Sequence, residues 1–170
     1  VHGGAFVGGN SKEGDIVQLA NAFAKRGYVA VSINYRLLGN GEQCGQENPP
    51  SQACVTAALG AQHDAQAAIR RLRANATTYG VDPTRIAIEG SSAGAGTALA
   101  VAVNSEDPGS SGNPGPSSKV GAAISISGAL PHSIASPYYD ASDPPILIFN
   151  GTTDPIVPFA AGVQTAADLD

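Results

Sequence analysis

A serine stands at the centre of "GSSAG", residues 90–94, in the arrangement G-x-S-x-G. The strand-like run "RIAIEG" leads into it, and an apolar helix-like run follows it. A turn this sharp between a strand and a helix strains its central residue, and it needs small neighbours two positions before and after. Ser92 would then project its hydroxyl from the sheet, with the Ala93 amide at the helix N-terminus. The pattern predicts a nucleophilic serine; the alternative is an ordinary glycine-rich connection.

The chain opens on "VHGGAF", in which two glycines follow a histidine. Glycine tolerates backbone angles that other residues avoid, so the pair suits a tight turn after a strand. Glycines also let backbone N–H groups converge on an oxygen that gains negative charge during a reaction. Taken alone, the stretch is compatible with both interpretations.

A carboxylate that could orient a base follows the strand-like run "ILIFN" in the turn "GTTD". Asp154 is therefore expected at the same edge of the sheet as Ser92, and an ordinary turn aspartate is the alternative. Asp140 and Asp143 precede that run and would lie at its other end. Those two residues are predicted to belong to a turn.

Three histidines could act as a base. His2 is expected to anchor the opening loop by a hydrogen bond, and His63 lies inside a predicted helix, where a packed or solvated histidine is expected. His132 follows "AAISISG" a few residues before Tyr138 and Tyr139. It is interpreted as a pocket residue, and a role as the base is the less favoured alternative.

Helical and strand-like segments alternate along the chain. Helices are predicted over residues 12–27, 55–80, 93–103 and 160–170, and strands in "YVAVSINY" (28–35), "VDPTRIAIEG" (81–90), "VGAAISISG" (120–128) and "PPILIFNG" (144–151). The strands are apolar and rich in β-branched residues without polar alternation, which is typical of strands buried on both faces. The order predicts an α/β fold with a mostly parallel sheet and helices on both faces.

Two cysteines, Cys44 and Cys54, lie in the polar loop "NGEQCGQENPPSQAC". A lone pair cannot form a four-ligand zinc site. A disulfide is predicted, since closing such a loop adds about 3 kcal/mol of stability and suits an exported protein. Two unpaired thiols in a cytosolic protein are the alternative.

Composition narrows the class of protein. The chain has 170 residues, of which 42% are hydrophobic and 14% charged, as expected for one globular domain. A net charge of -5 and the lack of any Lys or Arg run argue against nucleic acid and anionic membranes as partners. No apolar run approaches the roughly eighteen residues of a membrane span. Because the chain begins with Val1 and contains no methionine, it is expected to be a piece of a longer protein.

The stretches "HGGAF", "SINYRL", "DPTRIAIEGSSAGAG" and "FNGTTDPIVPF" occur in the order typical of one family. The chain resembles the α/β-hydrolase family, especially its carboxylesterase and dienelactone-hydrolase-like branches. The resemblance implies that residues 1–170 form a partial α/β-hydrolase catalytic domain that lacks the first strands and the last strand. It also implies that the amides of Gly4, Ala5 and Ala93 form an oxyanion hole. Ala5 stands where many members have a third glycine.

The family order is serine, acid, histidine, and no histidine follows Asp154. The catalytic histidine is therefore expected beyond residue 170. The resemblance implies a serine carboxylic-ester hydrolase with no cofactor or metal, acting through an acyl-enzyme on small or medium esters. Carbohydrate acetyl and feruloyl esters are one candidate class. The substrate pocket is expected to include Phe6, His132, Tyr138 and Tyr139, and the protein to be secreted or periplasmic.

Two other functions fit the same residues. A serine peptidase or polyester depolymerase could use the same fold and nucleophile, and it would be recognised by turnover of peptide or polymer. A binding module could have kept the hydrolase fold and lost its chemistry. Intact Ser92 and Asp154 argue against the binding module, because a protein without catalysis has no need of a strained turn.

Overall fold

The computed structural model describes residues 1–39, 44, 50–106, 109–130 and 139–169. Its sheet has three parallel strands in the order β1-β2-β3, namely β1 (Ala87–Ser91), β2 (Ala122–Ile126) and β3 (Ile146–Phe149). Five helices accompany them in the described ranges: α1 (Gly14–Ala24), α2 (Gln52–Ala74), α3 (Ala76–Tyr79), α4 (Ala93–Val103) and α5 (Phe159–Asp168). Ser91 pairs with Ile126, and Ile126 pairs with Phe149, so the three strands end at one level. The predicted parallel α/β fold is confirmed.

Helix α4 is the centre of the core. It packs against β1 and β2 on one side and against α2 on the other. Four of its nine buried residues are alanine and one is glycine, and Ala98, Leu99 and Val101 are fully buried. Short side chains let the helix backbone lie close to the sheet. Because α4 is packed on both sides, it is apolar all round.

The opposite face of the sheet is partnered by α1. Glu89, Ser91 and Ile126 line an open cavity of about 490 Å³ together with residues of α1 such as Ile16 and Leu19. Helices therefore occupy both faces, as the sequence predicts. Burial raises the pKa of Glu89 in this cavity.

The predicted strand "YVAVSINY" is wrong: residues 28–39 contain no strand. Tyr28, Val29 and Val31 are more than half exposed, which is incompatible with a strand buried on both faces. Ile33 contacts the core and Tyr35 is buried, so only the later part of the segment packs inward. A strand requires a hydrogen-bonded neighbour, and none of the described residues forms a ladder with this segment. Composition predicts an apolar extended run, but it cannot supply the partner.

Helix α2 is fixed at both ends. The Ser51 hydroxyl accepts a hydrogen bond from the Cys54 amide (3.2 Å), which caps the N-terminus. After a break at Asn75, α3 ends at Gly80, whose φ of 66° is left-handed. The predicted disulfide joins Cys44 to Cys54, and both residues are buried. In the described ranges, no helix is both long and apolar enough to cross a bilayer.

Candidate active site

Ser92 lies on the sharp turn between β1 and α4. Its backbone has φ 54° and ψ -120°, a left-handed conformation that is uncommon for any residue with a side chain. Its amide donates to the Ile126 carbonyl oxygen (2.9 Å), and its own carbonyl accepts from Ala95 (2.9 Å) and Gly96 (3.1 Å). The partly exposed Ser92 is thus held at the N-terminus of α4, at the edge where the parallel strands end.

The two glycines of the motif are required by close backbone contacts. A Cβ atom at Gly90 would lie 2.0 Å from the Gly94 carbonyl oxygen. A Cβ atom at Gly94 would lie 2.3 Å from the Val1 carbonyl oxygen and 2.5 Å from that of His2. The first glycine therefore allows the turn itself. The second allows the opening residues of the chain to cross the first turn of α4.

The opening loop lies directly against the serine. A Cβ atom at Gly3 would lie 3.2 Å from the Ser92 Cβ atom. Beyond it, Gly4, Ala5 and Phe6 all have positive φ, of 109°, 51° and 62°. The Gly4 carbonyl closes this turn by accepting hydrogen bonds from residues 7 (2.9 Å) and 8 (3.0 Å).

Three backbone amides near Ser92 remain free to bind a ligand. Within the described part of the chain, the N–H groups of Gly4, Ala5 and Ala93 donate no hydrogen bond. The Ala93 amide is the first of α4, where a helix leaves its N–H groups unsatisfied. These amides are the predicted oxyanion donors, and they are available for that role.

The side chains of Tyr35 and His2 hold the opening loop in place. The Tyr35 hydroxyl donates to the carbonyl oxygens of His2 (3.0 Å) and Gly3 (3.1 Å), and burial raises the pKa of this phenol. The His2 ring stacks on Tyr35 with 4.2 Å between centroids, and its Nδ1 lies 2.7 Å from the Gly3 carbonyl oxygen. His2 is fully buried inside its own loop. It is therefore an anchor of the loop.

Asp154 lies in the turn after β3. Its Oδ1 accepts hydrogen bonds from the amides of Ile156 (2.9 Å) and Val157 (3.0 Å). These bonds hold the pKa of Asp154 below its usual value, so the carboxylate is ionised at neutral pH. It lies at the same sheet edge as Ser92, and the strands that lead to the two residues, β3 and β1, are about 10 Å apart at the usual strand spacing. An imidazole could bridge that gap.

Tyr139 and Phe6, two of the predicted pocket residues, have contacts in the structure that can be described. Tyr139 packs with the apolar cluster of Leu99, Val103 and Leu130 at the far half of α4. Leu99 is seven residues beyond Ser92 in α4, about 10 Å along the helix axis. Phe6 contacts Tyr35 edge to face, with centroids 6.2 Å apart.

The structure also bears on the other predicted residues, as follows. His132 and Tyr138 lie outside the described residues. Asp140 and Asp143 form the predicted turn before β3, since the Asp143 amide donates to the Asp140 carbonyl (3.0 Å). Cavities of about 490 and 310 Å³ are lined by neither Ser92 nor Asp154.

Sequence reasoning missed Ser127, which follows β2 at the same edge. Its amide donates to the Phe149 carbonyl oxygen (2.7 Å), and its φ is 52°. The one available signal was the pair Ser127-Gly128 after a predicted strand, which by itself indicates only a turn.

The chain matches the model of a known protein family. The BD-FAE family model matches residues 1–130. The chain belongs to the BD-FAE family, an α/β-hydrolase-type esterase family. Among curated protein sequences, none was significantly similar.

Solved esterase structures share the fold. Thermogutta terrifontis esterase 2 phosphorylated by paraoxon superposes with a TM-score of 0.77 at 27% identity, over 99% of this chain and 63% of that one. The propionate-bound form of the same esterase superposes with a TM-score of 0.74 at 27% identity, over 99% of this chain and 65% of that chain. A bifunctional GH43-CE protein of Bacteroides eggerthii shares the fold at 22% identity. The TM-score is 0.78, and the superposition covers 99% of this chain and 26% of that one. The chain thus spans 63% of the length of the first esterase.

Proposed function

We propose that this chain carries the nucleophile, the oxyanion loop and the acid of a serine esterase. The observation that carries the proposal is the contact between the Gly3 loop and Ser92. It brings the free amides of Gly4, Ala5 and Ala93 to a serine held in a strained turn. Such an arrangement stabilises an oxygen that becomes negative beside the nucleophile.

In the proposed reaction, the Ser92 Oγ attacks the ester carbonyl carbon and a histidine takes its proton. The carbonyl oxygen becomes an oxyanion and accepts hydrogen bonds from the amides of Ala5 and Ala93, with that of Gly4 beside them. Collapse breaks the bond to the alcohol oxygen, which receives the proton from the histidine. Water then attacks the acyl-enzyme by the same route and releases the acid.

Asp154 would orient the histidine and stabilise its positive form. Its lowered pKa supports this role, because only an ionised carboxylate stabilises an imidazolium. Of the described histidines, His2 is buried in its loop, and His63 lies on α2, where its Nδ1 is 3.1 Å from the Ser110 hydroxyl oxygen. Since the chain spans 63% of the esterase 2 chain, we propose that a histidine following residue 170 is the base.

We propose small carboxylic esters as substrates. Esterase 2 of Thermogutta terrifontis has been captured with propionate and with butyrate, which supports short acyl groups. Carbohydrate acetyl and feruloyl esters are the narrower class to test within this range. The buried Cys44–Cys54 disulfide is compatible with an extracellular or periplasmic location, and we propose that the enzyme works there.

The test uses the full-length protein and two adjacent serines. Wild type, Ser92→Ala and the matched control Ser91→Ala are assayed with p-nitrophenyl acetate, propionate, butyrate and ferulate, and with a peptide anilide. A fluorophosphonate probe is added to each protein, and the labelled peptide is identified by mass spectrometry. We expect ester turnover and labelling in wild type and Ser91→Ala, and neither in Ser92→Ala.

Each other result points to a different function. Faster turnover of the peptide anilide than of any ester would replace the esterase proposal with a peptidase. Absence of both turnover and labelling in the folded wild type would favour a binding module. Activity of Ser92→Ala within about tenfold of wild type would show that Ser92 is not the nucleophile.

A further inference from the structure

Ser127 occupies the middle of the sheet edge that carries the proposed catalytic residues. It directly follows β2, which lies between β1 with Ser92 and β3 with Asp154. The Ser92 amide donates to the Ile126 carbonyl (2.9 Å), and the Ser127 amide donates to the Phe149 carbonyl (2.7 Å). These two bonds extend the ladder one step past each strand. They fix the backbone positions of Ser127 and Ser92 relative to β3.

Ser127, like Ser92, has a positive φ, which is uncommon for a residue with a side chain. Its φ is 52°, against 54° at Ser92. The next residue must be a glycine, because a Cβ atom at Gly128 would lie 2.3 Å from the Ala95 Cβ atom on α4. Glycine would adopt a left-handed conformation at position 127 without strain. The turn therefore accounts for the conformation but not for the presence of a side chain.

Ser127 and the turn that carries Asp154 follow two neighbouring strands, β2 and β3, at the same edge of the sheet. Two amides of the Asp154 turn hold only Oδ1, so the turn itself leaves Oδ2 without a donor. The amides of Ile156 and Val157 lower the pKa of Asp154 most, and the Ser127 hydroxyl adds a smaller lowering. The end of β2 lies between the ends of β1 and β3, so a hydroxyl there is placed on the side of Asp154 toward Ser92.

We propose that Ser127 is a positioning residue, which holds the Asp154 carboxylate in the orientation that receives the catalytic histidine. This inference rests on the proposed function, since it assumes that Asp154 is the acid of a triad. Ser127 contacts neither the nucleophile nor the substrate in this role. Its effect on the reaction passes entirely through Asp154.

The test compares Ser127→Gly and Ser127→Asn in the full-length enzyme. Glycine removes the hydroxyl and relieves the backbone, so the melting temperature should stay the same or rise. The kcat should nevertheless fall about ten- to a hundredfold with KM unchanged, because the acid is misaligned. Asparagine tolerates a left-handed conformation and carries a donor, so it should recover part of the lost kcat.

A matched control and a double variant make the test specific. Asn113→Gly changes another residue with positive φ, at 60°, on a loop beside α2, and should leave kcat unchanged. In an Asp154→Asn background, Ser127→Gly should cause no further loss, since its partner has already been altered. Wild-type kcat in Ser127→Gly would overturn the proposal. An equal loss in both backgrounds would also overturn it.

The proposed function is tested separately by Ser92→Ala in the same assay. If Ser92→Ala remains active, the proposed function fails. If Ser92→Ala and Asp154→Asn are inactive while Ser127→Gly has the kcat of wild type, only the positioning role of Ser127 fails.

Discussion

Serine, histidine and aspartate also meet in a second region of the molecule, where α2 contacts residues 36, 110 and 111. There the Arg36 guanidinium pairs with Asp64 (Nε to Oδ2, 3.0 Å) and donates to the hydroxyls of Ser110 (3.1 Å) and Ser111 (2.8 Å). The Ser111 hydroxyl donates to Asp64, and the Ser110 amide donates to Nδ1 of His63 (3.1 Å). We call these five residues the anchor cluster.

The anchor cluster has the residue types of a triad without its geometry. His63 contacts one serine and Asp64 another, and the carboxylate is already neutralised by Arg36. Ser110 and Ser111 lie in a loop rather than on a strand-to-helix turn. At Ser92, by contrast, strain, a helix N-terminus and free amides coincide. Under the proposed function, backbone geometry, more than residue type, distinguishes the nucleophilic serine from a structural one.

The largest expected effect comes from replacing one serine in each of the two regions with alanine. Ser92→Ala should lower ester turnover by about four orders of magnitude, because the nucleophile is lost, while the fold is kept. Ser110→Ala in the anchor cluster should leave turnover within about twofold. Steady-state kinetics and circular dichroism on the full-length proteins measure both. Comparable losses in the two variants would break the distinction.

The two aspartates make the next comparison. Asp154→Asn should lower kcat roughly 10⁴-fold, because an amide cannot stabilise the imidazolium. Asp64→Asn should leave kcat near wild type, since its carboxylate serves Arg36. Rates with p-nitrophenyl butyrate give the answer. The assignment of the acid would be abandoned if Asp64→Asn were the more damaging change.

The disulfide tests whether α2, which carries His63 and Asp64 of the anchor cluster, has a purely structural role. Replacing both Cys44 and Cys54 with serine should lower the free energy of unfolding by about 3 kcal/mol, since the bond closes a loop with a sequence separation of 10. Below the unfolding transition, kcat should be unchanged. Urea titrations and kinetics on the same samples separate the two effects. A loss of kcat in the folded double variant would link α2 to catalysis.

The smallest effect is expected from the ion pair of the anchor cluster. Arg36→Ala should lower the free energy of unfolding by at most about 1 kcal/mol at neutral pH, because Arg36 is half exposed. Burial alone would raise the pKa of Asp64, but hydrogen bonds from Arg36 and Ser111 outweigh it and lower that pKa.

The sign of the pH effect follows from this lowered pKa. A carboxyl with a depressed folded-state pKa stabilises the fold above its unfolded pKa, and it loses that contribution as the pH falls through the folded pKa. The gap in stability between wild type and Arg36→Ala should therefore narrow in acid. Thermal melts between neutral and acidic pH will show it. A gap that widens in acid would contradict the assignment of Asp64 as the partner.

The local elements could be predicted because their signals are local. The apolar run before "GSSAG" and the small residues after it predicted β1, the turn and α4, and the structure has all three. The strand over residues 28–35 was wrong because a strand depends on a neighbour that sequence pattern does not reveal. The adjacent His63 and Asp64 carry no local sign that they belong to an anchor cluster.

The sequence by itself determined that the chain is an α/β domain with a serine on a sharp strand-to-helix turn. Glycine content, apolar runs and turn residues act over a few residues, so they can be recognised without a partner. Only the tertiary structure decided that the Gly3 loop lies against Ser92, that Gly94 is needed to let His2 pass, and that Ser127 and Asp154 follow neighbouring strands at one edge. These relations join segments up to about ninety residues apart, as in the bond between Val1 and Glu89, with a separation of 88. They depend on strand order and helix packing, which form only when the whole sheet assembles.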